Sequence, residues 1–144
     1  PTVLDADLGA RDTMADILGL TDYAVFSEGA LEEFLPGLSN QERLDRVLLM
    51  GPRHAGVTLG EKGYVWRDTF GGGACAGFKV EVTDTTGAGD AFHGAFALML
   101  AEGRPISECA RFSCAVAAMK CTRLGSRSGL PRRKDVDAFL EQRS

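Results

Sequence analysis

The densest chemistry in the sequence is Asp84-Thr-Thr-Gly-Ala-Gly-Asp90, set between an alternating apolar run and a helical stripe beginning near Phe92. Gly87 and Gly89 are expected to permit a tight turn that leaves successive N–H groups pointing outward at a helix N-terminus. The helix macrodipole favours negative charge there, so the turn reads as an anion hole. Asp90 inside such a hole repels phosphate unless its task is to accept a proton beside one, which suits a base for phosphoryl transfer. The same carboxylate also suits plain stabilisation of the first helical turn, and the turn alone leaves both roles open. Neither GxGxxG nor a Walker-type GxxxxGK run occurs, which excludes those two phosphate loops.

Other reactive side chains are scattered. Asp5 and Asp7 share one side of an expected strand end, where open α/β sheets bind ligands, although strand-end aspartates commonly just cap turns. His93 lies one turn beyond Asp90, and a hydrogen-bonded helix histidine is its plainer role. The cysteines at 75, 109, 114 and 121 form no CxxC pair and have no histidine at ligand spacing, which argues against zinc. Reduced thiols in a cytoplasmic protein are the simplest expectation. Trp66 reads as an edge-strand packing residue.

The elements that must position the loop follow from periodicity. Residues 2–6 form a short apolar strand and residues 12–20 a helix, and the pattern repeats with a strand at 23–26 and a helix carrying Leu31, Phe34 and Leu35. Two βα units in series imply a parallel sheet. Asn40 is expected to cap a further helix running through Met50, with Leu44, Val47 and Leu48 on one face. The runs beginning at Gly56 and Tyr64 flank Gly60-Glu-Lys-Gly63, which is hairpin chemistry at the edge of the sheet. Gly71 to Gly73 read as a loop tip, and the alternation from Phe78 to Val82 predicts a half-buried strand. Helical stripes follow through Phe92, Phe96, Met99 and Leu100, then through Phe112, Val116 and Met119. Pro105 and Ser107 mark the break between them. Val136, Phe139 and Leu140 make a last amphipathic helix after Pro131.

Composition sets limits. Of 144 residues, 18 are Gly, 44% are hydrophobic and 25% charged, as in a globular protein and unlike a disordered or collagen-like chain. The longest clear apolar run, residues 95–101, is far short of the ~18 that a membrane helix needs, so a membrane span is not expected. A net charge of −4 argues against nucleic acid as the partner. The average hides a gradient, with a charge of −6 over residues 1–68 and +2 over residues 69–144. Lys120, Arg123, Arg127, Arg132, Arg133 and Lys134 fall in a stretch without a carboxylate, either a solvated helix end or a field that attracts a polyphosphate.

The run from Asp84 to Phe96, DTTGAGDAFHGAF, resembles the second signature of the ribokinase family, the PfkB carbohydrate kinases. Val57-Thr-Leu-Gly-Glu-Lys-Gly63 is similar to that family's nucleotide-contacting strand and turn, and Arg123-Leu-Gly125 through Pro131 to its late loop and final helix entry. The stretch from Lys120 to Gly129, with His93, looks most like the sulfofructose kinase branch. The resemblance implies a three-layer α/β/α sandwich of which residues 1–144 are the C-terminal part, with a mainly parallel sheet and an edge hairpin. The N-terminal half, with the sugar-contacting residues and small lid, would be a separate piece or the rest of a longer chain, and the opening at Pro1 without a Met agrees with that expectation.

The resemblance also implies the roles. Asp90 would deprotonate a sugar hydroxyl while amides of Gly87, Ala88 and Gly89 hold the transferring phosphoryl of ATP. Thr58, Gly60 and Gly63 would border the nucleotide, with Cys114 a candidate for the adenine pocket and a small buried thiol its plainer reading. Asp84 and Thr86, with carbonyls of Lys120, Arg123 and Gly125, fall where many members bind a monovalent cation such as K+. Gly129 stands where the family often has a side-chain oxygen. Mg2+ is expected because the phosphoryl charge must be neutralised, yet Ser27 to Ala30 replace the family's Asn-x-x-Glu, leaving only Glu28 nearby. The expected partners are ATP, a sugar, the other half of the domain and a second copy of the chain. A catalytically silent nucleotide- or anion-binding module acting through partner association is the competing reading.

Overall fold

The computed structural model describes residues 1–9 and 11–143. Two compact units are present, Pro1–Leu59 with Tyr64–Ala74, and Gly60–Gly63 with Cys75–Ser144.

In the first unit the elements alternate as the periodicity predicts: β1 (Val3–Ala6), α1 (Arg11–Leu18), β2 (Tyr23–Ser27), α2 (Glu28–Phe34), α3 (Asn40–Leu48), β3 (His54–Thr58) and β4 (Tyr64–Asp68). With β5 (Gly71–Cys75) they form one sheet in the order β1-β2-β3-β4-β5. The pairs β1–β2 and β2–β3 are parallel and β3–β4 is antiparallel. In register, Ala6 faces Phe26 and Phe26 faces Val57, while Ala24 faces Ala55. These residues lie on one side of the sheet and share a buried core with Met14, Leu18, Leu31, Leu44 and Val47 of the three helices. Each fully buried Leu or Phe contributes on the order of 1.5–3 kcal/mol, and that contribution holds the strand ends in place.

Differences from the sequence expectations have local causes. The cap of α3 is Ser39 rather than Asn40, because Ser39 closes a capping box with Glu42. Asn40 instead bonds Glu28 and Arg43. Gly71 to Gly73 belong to β5, beyond the hairpin, and not to a loop tip. A Cβ on Gly73 would run into the Trp66 indole and one on Gly72 into the Trp66 carbonyl, so close approach to β4 explains these glycines. Trp66 itself is buried and stacks on Tyr64. Residues 76–82 are not a strand: Phe78 meets Phe139 edge-on at 5.3 Å and lies under Arg111, so side-chain packing accounts for the alternation without a ladder.

The second unit is a helix assembly of α4 (Ala88–Ala101), α5 (Ile106–Cys121) and α6 (Arg133–Glu141). Gly103, with φ of 72°, ends α4 by donating to Leu100 O, and Arg104 donates to Met99 O, the paired bonds of a Schellman cap. Pro105 then opens α5. The Ala, Cys and Ser residues of α5, Cys109, Ala110, Ser113, Cys114 and Ala115, are buried beside Phe92, Phe96 and Met99 of α4. Arg133 forks onto Glu102 at 2.9–3.2 Å and covers the Phe112 ring, fixing the start of α6. Among the described residues no helix is long and apolar enough to cross a membrane, and all four cysteines are free thiols.

Candidate functional site

The loop from Thr83 to Gly87 is held by two devices. Thr83 and Asp84 both donate their N–H groups to Cys121 O at the end of α5, at 2.7 and 3.1 Å. Asp84 in turn spreads its carboxylate between two loops, Oδ1 accepting from Thr86 N at 2.9 Å and Oδ2 from Gly125 N at 2.8 Å. These amide donors, Thr86 first, hold the carboxyl far below the usual carboxylate range, with Lys120 adding its charge. Lys120 is fully buried; its Nζ donates to Asp84 O at 2.7 Å and lies 3.7 Å from Asp84 Oδ2. The loop before α4 and the loop after α5 are thereby locked to each other.

Out of that lock the chain turns at Gly87, which takes φ of 75° as the residue before α4. A Cβ there would press on Ser126 Cβ at 3.0 Å, so glycine is needed for both conformation and space. Gly89 was expected to share this role, but the left-handed turn belongs to Gly87; Gly89 is already helical, and a Cβ on it would meet nothing within 4 Å. The Ala88 N–H bonds Thr85 O at 3.1 Å and closes the turn. The first rung of α4 is Ala91 N to Gly87 O, so the amides of Gly89 and Asp90 lie ahead of the ladder at the positive end of the helix. Asp90 is exposed on that first turn. It opens onto a cavity of about 410 Å³ that Gly87, Gly94, Leu98, Ser126 and Arg127 also line.

His93 is absorbed by the helix: Nδ1 lies 2.7 Å from Gly89 O, and because a carbonyl accepts, Nδ1 carries the proton. Three carbonyls expected to face a cation, those of Lys120, Arg123 and Gly125, do converge. All lie within 2.7–3.3 Å of where a Cβ on Gly129 would stand, a point that glycine leaves unfilled, so any larger residue at 129 would press on them. Lys120 O and Gly125 O also accept from Arg123 N and Gly129 N. From sequence, the Lys120 carbonyl is expected to face a cation and its charge to belong to a solvated or polyphosphate-attracting stretch. The structure instead buries that side chain against Asp84, and a single basic residue amid the small and apolar end of α5 was the available signal.

The nucleotide-border residues fall in different units. Thr58 ends β3 and donates to Phe26 O. Gly60 and Gly63, with φ of 58° and 99°, frame a short 3-10 turn, and a Cβ on Gly63 would collide with the backbone at Cys75 to Gly77. Cys114 is buried in α5, and the Cys75 thiol donates to Ala76 O at 3.6 Å. Interaction between the two free thiols lowers the Cys75 pKa to about 7, and with burial it raises that of Cys114. Ser27 caps α2, accepting from Ala30 N and donating to Asp7 Oδ1 at 3.2 Å. Asp7 also accepts from Leu8 N, a turn role. Among the described residues no group of three or more His, Cys, Asp or Glu side chains gathers as a metal site.

Comparison with known proteins agrees with this fold. The family described as pfkB family carbohydrate kinase matches residues 1–133. Ribokinase of Lactococcus lactis is 32% identical over 133 residues, covering 92% of this chain and 43% of that protein. The ribokinase structure from Thermotoga maritima superposes with a TM-score of 0.88 at 33% identity, over 96% of this chain and 48% of that one. A Vibrio cholerae fructokinase double mutant, bound to fructose, ADP and potassium, superposes at 0.83 with 28% identity, over 90% of this chain and 44% of its own. The chain thus spans about half the length of the relatives it matches.

Proposed function

Because the chain belongs to the pfkB family of carbohydrate kinases, we propose that it forms the part of an ATP-dependent sugar kinase that bears the catalytic base and the phosphate-binding turn. The observation that carries this reading is Asp90 exposed on the first turn of α4, beside the left-handed Gly87 turn and the free-standing amides ahead of the helical ladder. Asp90 takes the proton of a sugar hydroxyl, the hydroxyl oxygen forms a bond to the γ-phosphorus, and the phosphorus–oxygen bond to ADP breaks in line. Charge developing on the phosphoryl oxygens is met by the amides of the Gly87, Ala88 and Gly89 segment, chiefly Gly89, since the Ala88 N–H is committed to Thr85 O. Thr58, Gly60, Gly63 and Cys114 border the nucleotide in this reading.

Mg2+ would be held chiefly by the nucleotide phosphates, with few protein ligands, and would supply neutralisation of the phosphoryl charge. No preformed cluster of carboxylates awaits it among the described residues, and Ser27 in its capping role offers none. The sugar belongs to the ribose and fructose class of the matched relatives, with a sulfonated fructose the narrower candidate from the Lys120 to Gly129 stretch. The other half of the kinase domain supplies the remaining sugar contacts.

Asp90→Asn tests the assignment in the protein expressed whole from its gene. Turnover should fall about 10²- to 10⁴-fold, the usual worth of general-base catalysis, while nucleotide binding by calorimetry is retained. Unchanged sugar-dependent ADP release would refute the proposed base. Nucleotide binding without turnover by the unmutated protein, on a panel of ribose, fructose and sulfofructose, would favour the silent binding module.

A further inference from the structure

We propose that the ammonium of Lys120 is the built-in cation of the loop carrying Gly87 to Asp90, so that this kinase needs no monovalent metal ion there. The inference rests on the kinase reading for its catalytic consequence and on the structure for its physical basis. Lys120 Nζ donates to Asp84 O at 2.7 Å and stands 3.7 Å from Asp84 Oδ2, with the side chain entirely out of solvent. A bound potassium ion at this place would have one duty, to offset the Asp84 carboxylate and pull the two loops together. The tethered ammonium performs that duty already, and its position is fixed when the helix folds. Asp84 has also committed both oxygens to the amides of Thr86 and Gly125. The carbonyls of Lys120 and Gly125, two of the remaining oxygens expected of a metal site, already accept from Arg123 N and Gly129 N. A second cation would find no unbalanced negative charge, and it would be repelled by the ammonium.

Lys120 is therefore a positioning residue: it acts on the reaction through Asp84 and the Gly87 turn. The protein expressed whole from its gene should show the same sugar-dependent ADP release and the same melting temperature in potassium as in tetramethylammonium at equal ionic strength. Lys120→Ala empties the buried volume; its turnover in tetramethylammonium should drop about 10²-fold, the scale of a misplaced reacting group. Potassium or ammonium should restore much of that loss and raise the melting temperature of this variant. Lys120→Met keeps the stem without the charge and should stay impaired in every salt, an outcome that a merely space-filling role would not give. A rise of about tenfold in the unmutated protein's turnover on adding potassium, on the scale of a coupling free energy between sites, would overturn the proposal. Lys120→Ala behaving like the unmutated protein in tetramethylammonium would do the same. Should the protein phosphorylate no sugar, the kinase reading fails, and the cation inference is then decided by melting: potassium-independent for the unmutated protein if right, raised by potassium if wrong. Should Lys120→Ala not fold, the unmutated protein's response decides in the same way.

Discussion

Two glycines of the turn before α4 look alike in sequence and differ in what the fold asks of them. Gly87 needs its left-handed φ of 75° and the space against Ser126, so Gly87→Ala should lower stability by roughly 1–2 kcal/mol, the usual cost of a left-handed backbone for an L-residue. Gly89 is helical with open space around it, and alanine there should keep or raise the melting temperature, since alanine favours a helix interior over glycine by about 1 kcal/mol. If the space before the Gly89 amide belongs to phosphate, a larger side chain must cost binding instead: Gly89→Val should weaken ATP binding in calorimetry while melting near the unmutated protein. Equal loss of melting temperature in both variants would mean that the turn is purely structural. The sequence located Asp84 to Asp90 but treated the two glycines as one device, because residue type alone does not reveal which peptide takes the positive φ.

At the scale of elements, the β3–β4 hairpin holds a buried histidine with a consequence for acid stability. His54 Nε2 lies 2.7 Å from Tyr64 Oη, and the Tyr64 ring crosses Gly56 so closely that any Cβ there would overlap it. Burial lowers the His54 pKa from 6.5 to about 4. As pH falls through 6.5 the unfolded chain binds a proton that the folded chain refuses until about 4, so stability declines across this window and levels off below it. The shift corresponds to about 3 kcal/mol at most. Urea unfolding between about pH 6.5 and 5 isolates this group, because the lowered Cys75 thiol acts above that window and the lowered carboxylates of Asp22, Asp84 and Glu102 act below it, where their stabilisation is lost on protonation. His54→Gln should flatten the slope in that window, and an unchanged slope would mean that burial of this imidazole is not the cause. The hairpin, the parallel strands and the six α-helices among the described residues were legible from periodicity and glycine placement. The segment after Gly71 was not, because its glycines answer to the Trp66 indole and its alternation to Phe139 and Arg111, contacts distant in sequence.

For the molecule as a whole, the informative features are what remains uncovered and how long the relatives are. The chain accounts for 43% of the Lactococcus ribokinase. In the five-stranded sheet, β1 is an end strand with a parallel neighbour on one side, an edge that natural α/β sheets cover or pair. In the helical unit, the cavity beside Asp90 is walled by Leu98, Phe112, Val116, Leu130 and Val136, and Leu98 and Leu130 remain about half exposed, at 49% and 46%. An apolar concavity next to the proposed catalytic carboxylate suits coverage by further parts of a kinase domain. Residues 1–144 expressed alone should therefore associate in sedimentation and bind a fluorescent apolar dye, and the whole protein should do neither to the same extent. Leu98→Glu separates the helical face from the strand edge: it should reduce dye binding by the isolated segment while leaving association through β1 in place. A monodisperse segment that binds no dye would show that these surfaces are sufficiently covered as they stand, and the case for a second half of the domain would then rest on the length of the relatives alone.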